Sequence, residues 1–195
     1  MDFYVIAASD ENSDSVTLLK AEPLTVDEVN TYGTDANGVN HVNRYTFSSV
    51  GTAYDFNGYG GMAYYSSATC GNATVGGSYS SNGCESENAT SYDTSDIKYV
   101  VDAWSSVKIT SSDLTEDSLG YKTRLITHDE LINNLEYTPS WVYNSKYRYW
   151  TMSPYNTSAS RIWCVDYNGD VCNHKVSDYG NGVVRPVVTL LKSAL

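Results

Sequence analysis

The stretch from Tyr149 to Leu191 constrains this chain more than any other. Apolar side chains recur there at Trp150, Met152, Ile162, Trp163, Val165, Val171, Val176, Val183, Val184, Val187 and Val188, at the short intervals of strands that have a core to fill. Between them stand Tyr155, Asn156, Arg161, Asp166, Tyr167, Asp170, Asn173, His174, Lys175, Ser177, Asp178 and Tyr179. Side chains of that kind contact a partner more readily than they fill an interior. The stretch therefore reads as a stiff scaffold carrying interleaved polar and aromatic groups.

Composition extends the same reading. There are 18 Tyr against 3 Phe, and tyrosine combines a large, stiff contact area with a polar tip, a mixture found in combining loops. Twelve basic residues against 23 acidic ones leave a net charge of -11, which excludes a basic footprint for nucleic acid or an anionic membrane surface. Partners are then neutral, cationic or selected by local chemistry. At 195 residues the chain suits one domain with one core. No apolar run reaches the ~20 residues of a spanning helix, and no charged-then-apolar leader precedes Asp2. Met1 followed at once by the strand-like Phe3 to Ile6 reads as a domain cut from a longer protein.

Along the chain, Phe3 to Ala8 and Val16 to Lys20 are β-branched and aromatic runs separated by an acidic, Ser-rich turn, so residues 1–24 read as an opening hairpin. Thr25 with Glu28 has capping-box spacing for a short helix that Gly33 ends. Residues 34–92 form a long Tyr, Gly and Ser-rich insert without periodicity, in which a Cys70–Cys84 disulfide would close a loop of about 15 residues. Asp93 to Val107 is the clearest helix, with Ile97, Val100, Val101 and Trp104 on one stripe and Thr94 or Ser95 as cap. A second main helix starts at Thr127, capped with Glu130 and burying Leu131, Ile132 and Leu135, after a short extended Arg124-Leu125-Ile126. His128 at its start has no visible nucleophile or partner and reads as a surface or structural residue and not a catalytic base.

A strand is expected from Tyr147. Ile162 to Val165 and Asp170 to Val176 flank Tyr167-Asn168-Gly169, a three-residue hairpin loop with Gly169 in the left-handed position. That register puts Cys164 opposite Cys172, so a bridge is possible without being required. Asp166-Tyr167-Asn168-Gly169-Asp170 begins like a calcium loop but lacks its twelfth-position Glu, and a plain turn is the better reading. Val183 to Leu191 is one buried strand interrupted by Arg185-Pro186, where the proline implies an edge or a bulge, and it is suited to pair with the opening hairpin.

Arg124-Leu125-Ile126-Thr127-His128-Asp129-Glu130-Leu131 resembles the lead-in to a helix in the formylglycine-generating-enzyme branch of the C-type-lectin fold, with Ile126 and Leu131 where that motif has Pro and Trp. Tyr149-Trp150-Thr151-Met152-Ser153-Pro154, followed by Gly182-Val183-Val184-Arg185-Pro186-Val187-Val188, is similar to the signature of bacterial C-type-lectin-like domains, many of them variable proteins of diversity-generating retroelements. The N-terminal residues resemble such domains on pilin-like surface proteins of gut Firmicutes and their phages.

The resemblance implies an α+β, C-type-lectin-like fold: two antiparallel sheets, two main helices, and terminal strands paired. It implies a ligand-binding surface within residues 149–191 of an extracellular or cell-surface protein, directed at a protein or glycan on another cell or phage. In the retroelement family, adenine-directed mutagenesis yields Asn, Asp, His, Tyr, Ser and Cys. Cys164, Asp166, Tyr167, Asp170, Cys172, Asn173, His174, Ser177, Asp178 and Tyr179 all belong to that set, so the two cysteines are either a staple or products of diversification. With Trp163 as anchor these are the expected contact residues. The redox cysteine pair of the formylglycine enzymes and the sugar-binding calcium motifs of C-type lectins are absent from the sequence. The expectation is a binding domain without catalysis, cofactor or metal. The alternatives are an enzyme of formylglycine-generating type and a structural pilin or surface-layer subunit.

Overall fold

The structure is a computed structural model that describes residues 1–8, 14–34, 36, 92, 96–133, 142, 148–154, 161–175 and 182–195. These residues build an α+β fold with two four-stranded sheets and few helices. The first sheet holds β1 (Phe3–Ala8), β2 (Ser15–Lys20), β3 (Thr123–Arg124) and β8 (Val187–Leu191), in the order β1-β2-β8-β3 and antiparallel throughout. The second holds β4 (Arg148–Pro154), β5 (Arg161–Val165), β6 (Val171–Lys175) and β7 (Gly182–Val183), in the order β6-β5-β4-β7. It is antiparallel except for β4 and β7, which run parallel.

The opening hairpin and its pairing with the chain's end are as expected, with Leu18 opposite Val188 and Leu19 opposite Val187. Val16 to Lys20 are buried without alternation, so both faces of β2 are covered. Thr17 and Thr189 meet there, their hydroxyl oxygens 3.2 Å apart.

The single terminal strand expected over Val183 to Leu191 is two strands. Val183 belongs to the second sheet and Val187 onward to the first, and the chain crosses at Val184-Arg185-Pro186. The proline therefore marks neither an edge nor a bulge: β8 is an inner strand, and Pro186 precedes it, where no ladder donor is needed. The crossing is tied down by Lys20 N–H donating to Pro186 O at 2.8 Å and Leu24 N–H donating to Val184 O at 2.8 Å.

Helix α1 (Val26–Tyr32) has the expected capping box: the Thr25 hydroxyl accepts from Glu28 N–H, Glu28 accepts from Thr25 N–H, and the helix stops at Gly33. Helix α2 (Asp96–Lys108) buries Ile97, Val100, Val101 and Trp104 completely. Each such side chain contributes roughly 1.5–3 kcal/mol relative to exposure. Trp104 also donates its indole N–H to Glu28 at 3.2 Å, joining α2 to α1. Burial pushes the Glu28 carboxyl up, but the Thr25 amide, the Lys20 charge and the Trp104 indole outweigh it and hold it below its usual value. The expected caps of α2, Thr94 and Ser95, lie outside the described residues.

Helix α3 (His128–Asn133) buries Leu131, whereas Ile132 is 44% exposed, which corrects its assignment to the buried side. One residue turns a helix by about 100°, so two adjacent positions do not share a narrow stripe. Leu135 lies outside the described residues, as does nearly all of the 34–92 insert.

Candidate functional site

Val171 to Lys175 pair residue for residue with Arg161 to Val165, from Val165 opposite Val171 to Arg161 opposite Lys175. The turn between them is built by Asp166. Its carbonyl accepts Gly169 N–H at 3.1 Å, its N–H donates to Asp170 O at 2.9 Å, and its carboxylate accepts the Asn168 and Asp170 amides at 2.8 and 3.0 Å. Gly169 at φ 84° closes the loop in the left-handed region, as the sequence predicts. The Asp166 carboxylate is thus engaged by its own turn, which is the plain-turn reading of that segment.

Cys164 and Cys172 stand opposite each other with Cα atoms 4.9 Å apart and are joined as a disulfide. Cys164 has no exposed surface, so its part in the hairpin is as a staple under it. Closing so short a loop is worth roughly 2.5 kcal/mol in the chain-entropy estimate.

Strand alternation divides the expected contact residues. Trp163 and Asn173 are paired on the face that carries Tyr149, Val165 and Val171, while Cys164 and Cys172 share the other with Trp150. Asp166, Tyr167 and Asp170 gather at the turn, where Asp170 is exposed and the other two are half-buried. His174 stands opposite Ile162, and Ser177, Asp178, Tyr179, Cys70 and Cys84 lie outside the described residues.

Neighbouring elements fix the hairpin's aromatic groups. Three residues of β4, Thr151, Met152 and Ser153, stand against the single Trp163 between the Trp150–Cys164 and Pro154–Ile162 pairs, so β4 bulges there. The Thr151 hydroxyl donates to Trp163 O at 2.9 Å, and Met152 N–H donates to Ile126 O at 2.9 Å. His128 donates its N–H to the Ser153 hydroxyl at 2.9 Å and stacks its ring on Trp163, with centroids 4.0 Å apart and planes at 21°. The Arg148 guanidinium lies 5.5 Å from the centre of the Tyr167 ring. Thr151, His128 and Arg148 were not legible as site residues. Thr151, a polar residue inside an apolar strand, carried a signal that could have been read.

The two motif arginines, Arg124 and Arg185, are structural. Arg124, 2% exposed, forks onto Glu130 at 2.6 and 2.8 Å and also pairs with Asp117, while Glu130 accepts from Thr127 N–H at 2.8 Å to cap α3. Desolvation opposes its charge, but the two carboxylates outweigh that and hold the guanidinium's pKa above its usual value. Arg185, 1% exposed, donates to the carbonyls of Lys20 and Ala21 at 3.2 and 3.0 Å and covers the Tyr149 ring at 4.7 Å, so it links the two sheets. Burial pushes the Tyr149 hydroxyl up to about 12, with Arg185 pulling the other way.

Among the described residues no group of three or more His, Cys, Asp or Glu stands together to hold a metal, and no helix is long and apolar enough to cross a membrane. Comparison with curated proteins and with solved structures finds no match. Residues 77–192, which contain α2, α3, the Arg124 cluster and the whole hairpin, match a family model: the chain belongs to the family described as Domain of unknown function (DUF6273).

Proposed function

We propose that this domain is a non-enzymatic recognition module, a C-type-lectin-like scaffold of the diversity-generating-retroelement type, displayed at a cell or phage surface to grip a protein or glycan. The observation that carries this reading is the division of labour in β4, β5 and β6. Trp150, Ile162, Cys164 and Val165 are completely buried, while Trp163, Tyr167 and Asn173 are half-buried and Asp170 is exposed at the turn. A disulfide-stapled hairpin on a bulged strand is ordered before any ligand arrives, so little ordering entropy is lost on binding. Trp163 and Tyr167 would supply anchoring area and Asp170 would favour a basic or hydroxylated group, in keeping with the net charge of -11.

Two experiments test the reading. The domain is screened against arrays of glycans and of bacterial surface proteins, and any ligand found is re-measured with Tyr167→Ala and Asp170→Ala. Binding should weaken while unfolding stays within about 1 kcal/mol of the parent. A ligand whose affinity ignores both substitutions would place recognition elsewhere. Sequencing the flanking DNA tests the origin: a reverse transcriptase and a near-copy of the 3′ end differing at adenines is expected, and their absence would remove the retroelement part.

A further inference from the structure

Away from the hairpin, a cleft of about 350 Å³ opens between α2 and the segment that leads into β3. Its size is at the lower end of small-molecule sites, which run from roughly 300 to 1,000 Å³. One wall is a single helix face, since Lys98, Asp102 and Ser105 are spaced at i, i+4 and i+7, with Ser106 beside them. The other wall carries Leu114, Tyr121 and Thr123.

The polar groups point to a particular ligand chemistry. Ser105 donates to Asp102 O at 2.9 Å, Ser106 donates to Ala103 O at 2.8 Å, and Thr123 donates to the Asp102 carboxylate. Each of these protons is turned into the protein, so each oxygen offers the cleft lone pairs and not a donor. Asp102, its side chain 45% exposed, keeps acceptor capacity of its own. Lys98 forms an ion pair with Asp102, so those two charges offset each other, and Lys122 stands exposed at the rim. An organic cation would meet Lys98 and Lys122, and an anion would meet Asp102. A neutral molecule bearing several hydroxyls avoids both penalties, because each hydroxyl donates to these oxygens and accepts from a lysine. Tyr121 and Leu114 add apolar surface suited to the C–H face of a ring. The rim is open at Gly120, where an added Cβ would meet nothing within 4 Å.

We propose that this cleft is a second binding site, for a neutral polyhydroxylated molecule the size of one sugar ring, built from α2 and the 111–123 segment and independent of the hairpin. The test is a nitrogen-15 amide titration of the whole 195-residue chain with D-glucose, D-galactose and N-acetyl-D-glucosamine in turn, using acetate and ethylammonium as charged comparators. At least one sugar should give saturable shifts at Ser105, Gly120 and Tyr121 that neither ion gives. Ser106→Leu, a bulkier side chain at an exposed helix position, and Tyr121→Leu should each weaken that binding by on the order of ten-fold. Absence of saturable shifts with all three sugars, equal shifts with either ion, or unchanged affinity in both variants overturns the proposal.

Discussion

Arg124 shows how a motif residue can be wholly structural. Its guanidinium holds Asp117 and Glu130 together, and Glu130 in turn caps α3 through Thr127, so the sequence from Arg124 to Glu130 is one closed network. Replacing it by Met leaves two carboxylates facing a buried gap, and chemical denaturation should show a loss of about 3–5 kcal/mol. Lys in its place should recover little, because one ammonium cannot reproduce the fork. Tyr149 makes a prediction about pH. Its hydroxyl titrates near 10 when unfolded and at about 12 when folded, so its contribution is complete below pH ~10 and is lost as pH rises through 12. The fall is about 2–3 kcal/mol, and unfolding of Tyr149→Phe across that range should lack this part of the slope. From sequence alone, Trp104 was legible as core because it closes a helical stripe. The second duty of Asp166, holding its own turn, was not, because an exposed Asp in a binding loop and an Asp in an Asx turn are the same letter.

Elements with a local code were readable: α1 from its capping box, α2 from four apolar residues at helical spacing, and the β5–β6 hairpin from Tyr167-Asn168-Gly169. Elements set by distant partners were not. Nothing within Gly182 to Leu191 says that Val183 runs parallel to β4 while Val188 pairs with β2, because both halves present the same β-branched valines. The β4 bulge was equally hidden, since it is defined only by the strand opposite. The disulfide belongs to this scale too. Reducing it, or replacing Cys164 and Cys172 by Ala together, should lower stability by roughly 2.5 kcal/mol in a denaturant titration. The hairpin register should survive, because the Asp166 turn specifies it independently.

Among the described residues the chain passes from the first sheet to the second between β3 and β4 and returns at Val184-Arg185-Pro186, with Arg185 placed where that return meets both. Trp150, Ile162, Cys164 and Val165 belong to the buried core cluster, while Tyr167 and Asp170 at the turn and Asn173 opposite Trp163 retain contact with solvent. The pairing of the opening hairpin with the chain's end was legible from hydrophobic patterning, whereas the α+β class was expected from the motif resemblance. The split of the contact residues between two strand faces needed the register. A saturation library over residues 148–175, sorted for folded protein with a conformation-sensitive protease, tests the central claim directly. Broad tolerance is expected at Tyr167, Asp170 and Asn173, and sharp intolerance at Trp150, Ile162 and Val165. Equal intolerance in the two sets would contradict it.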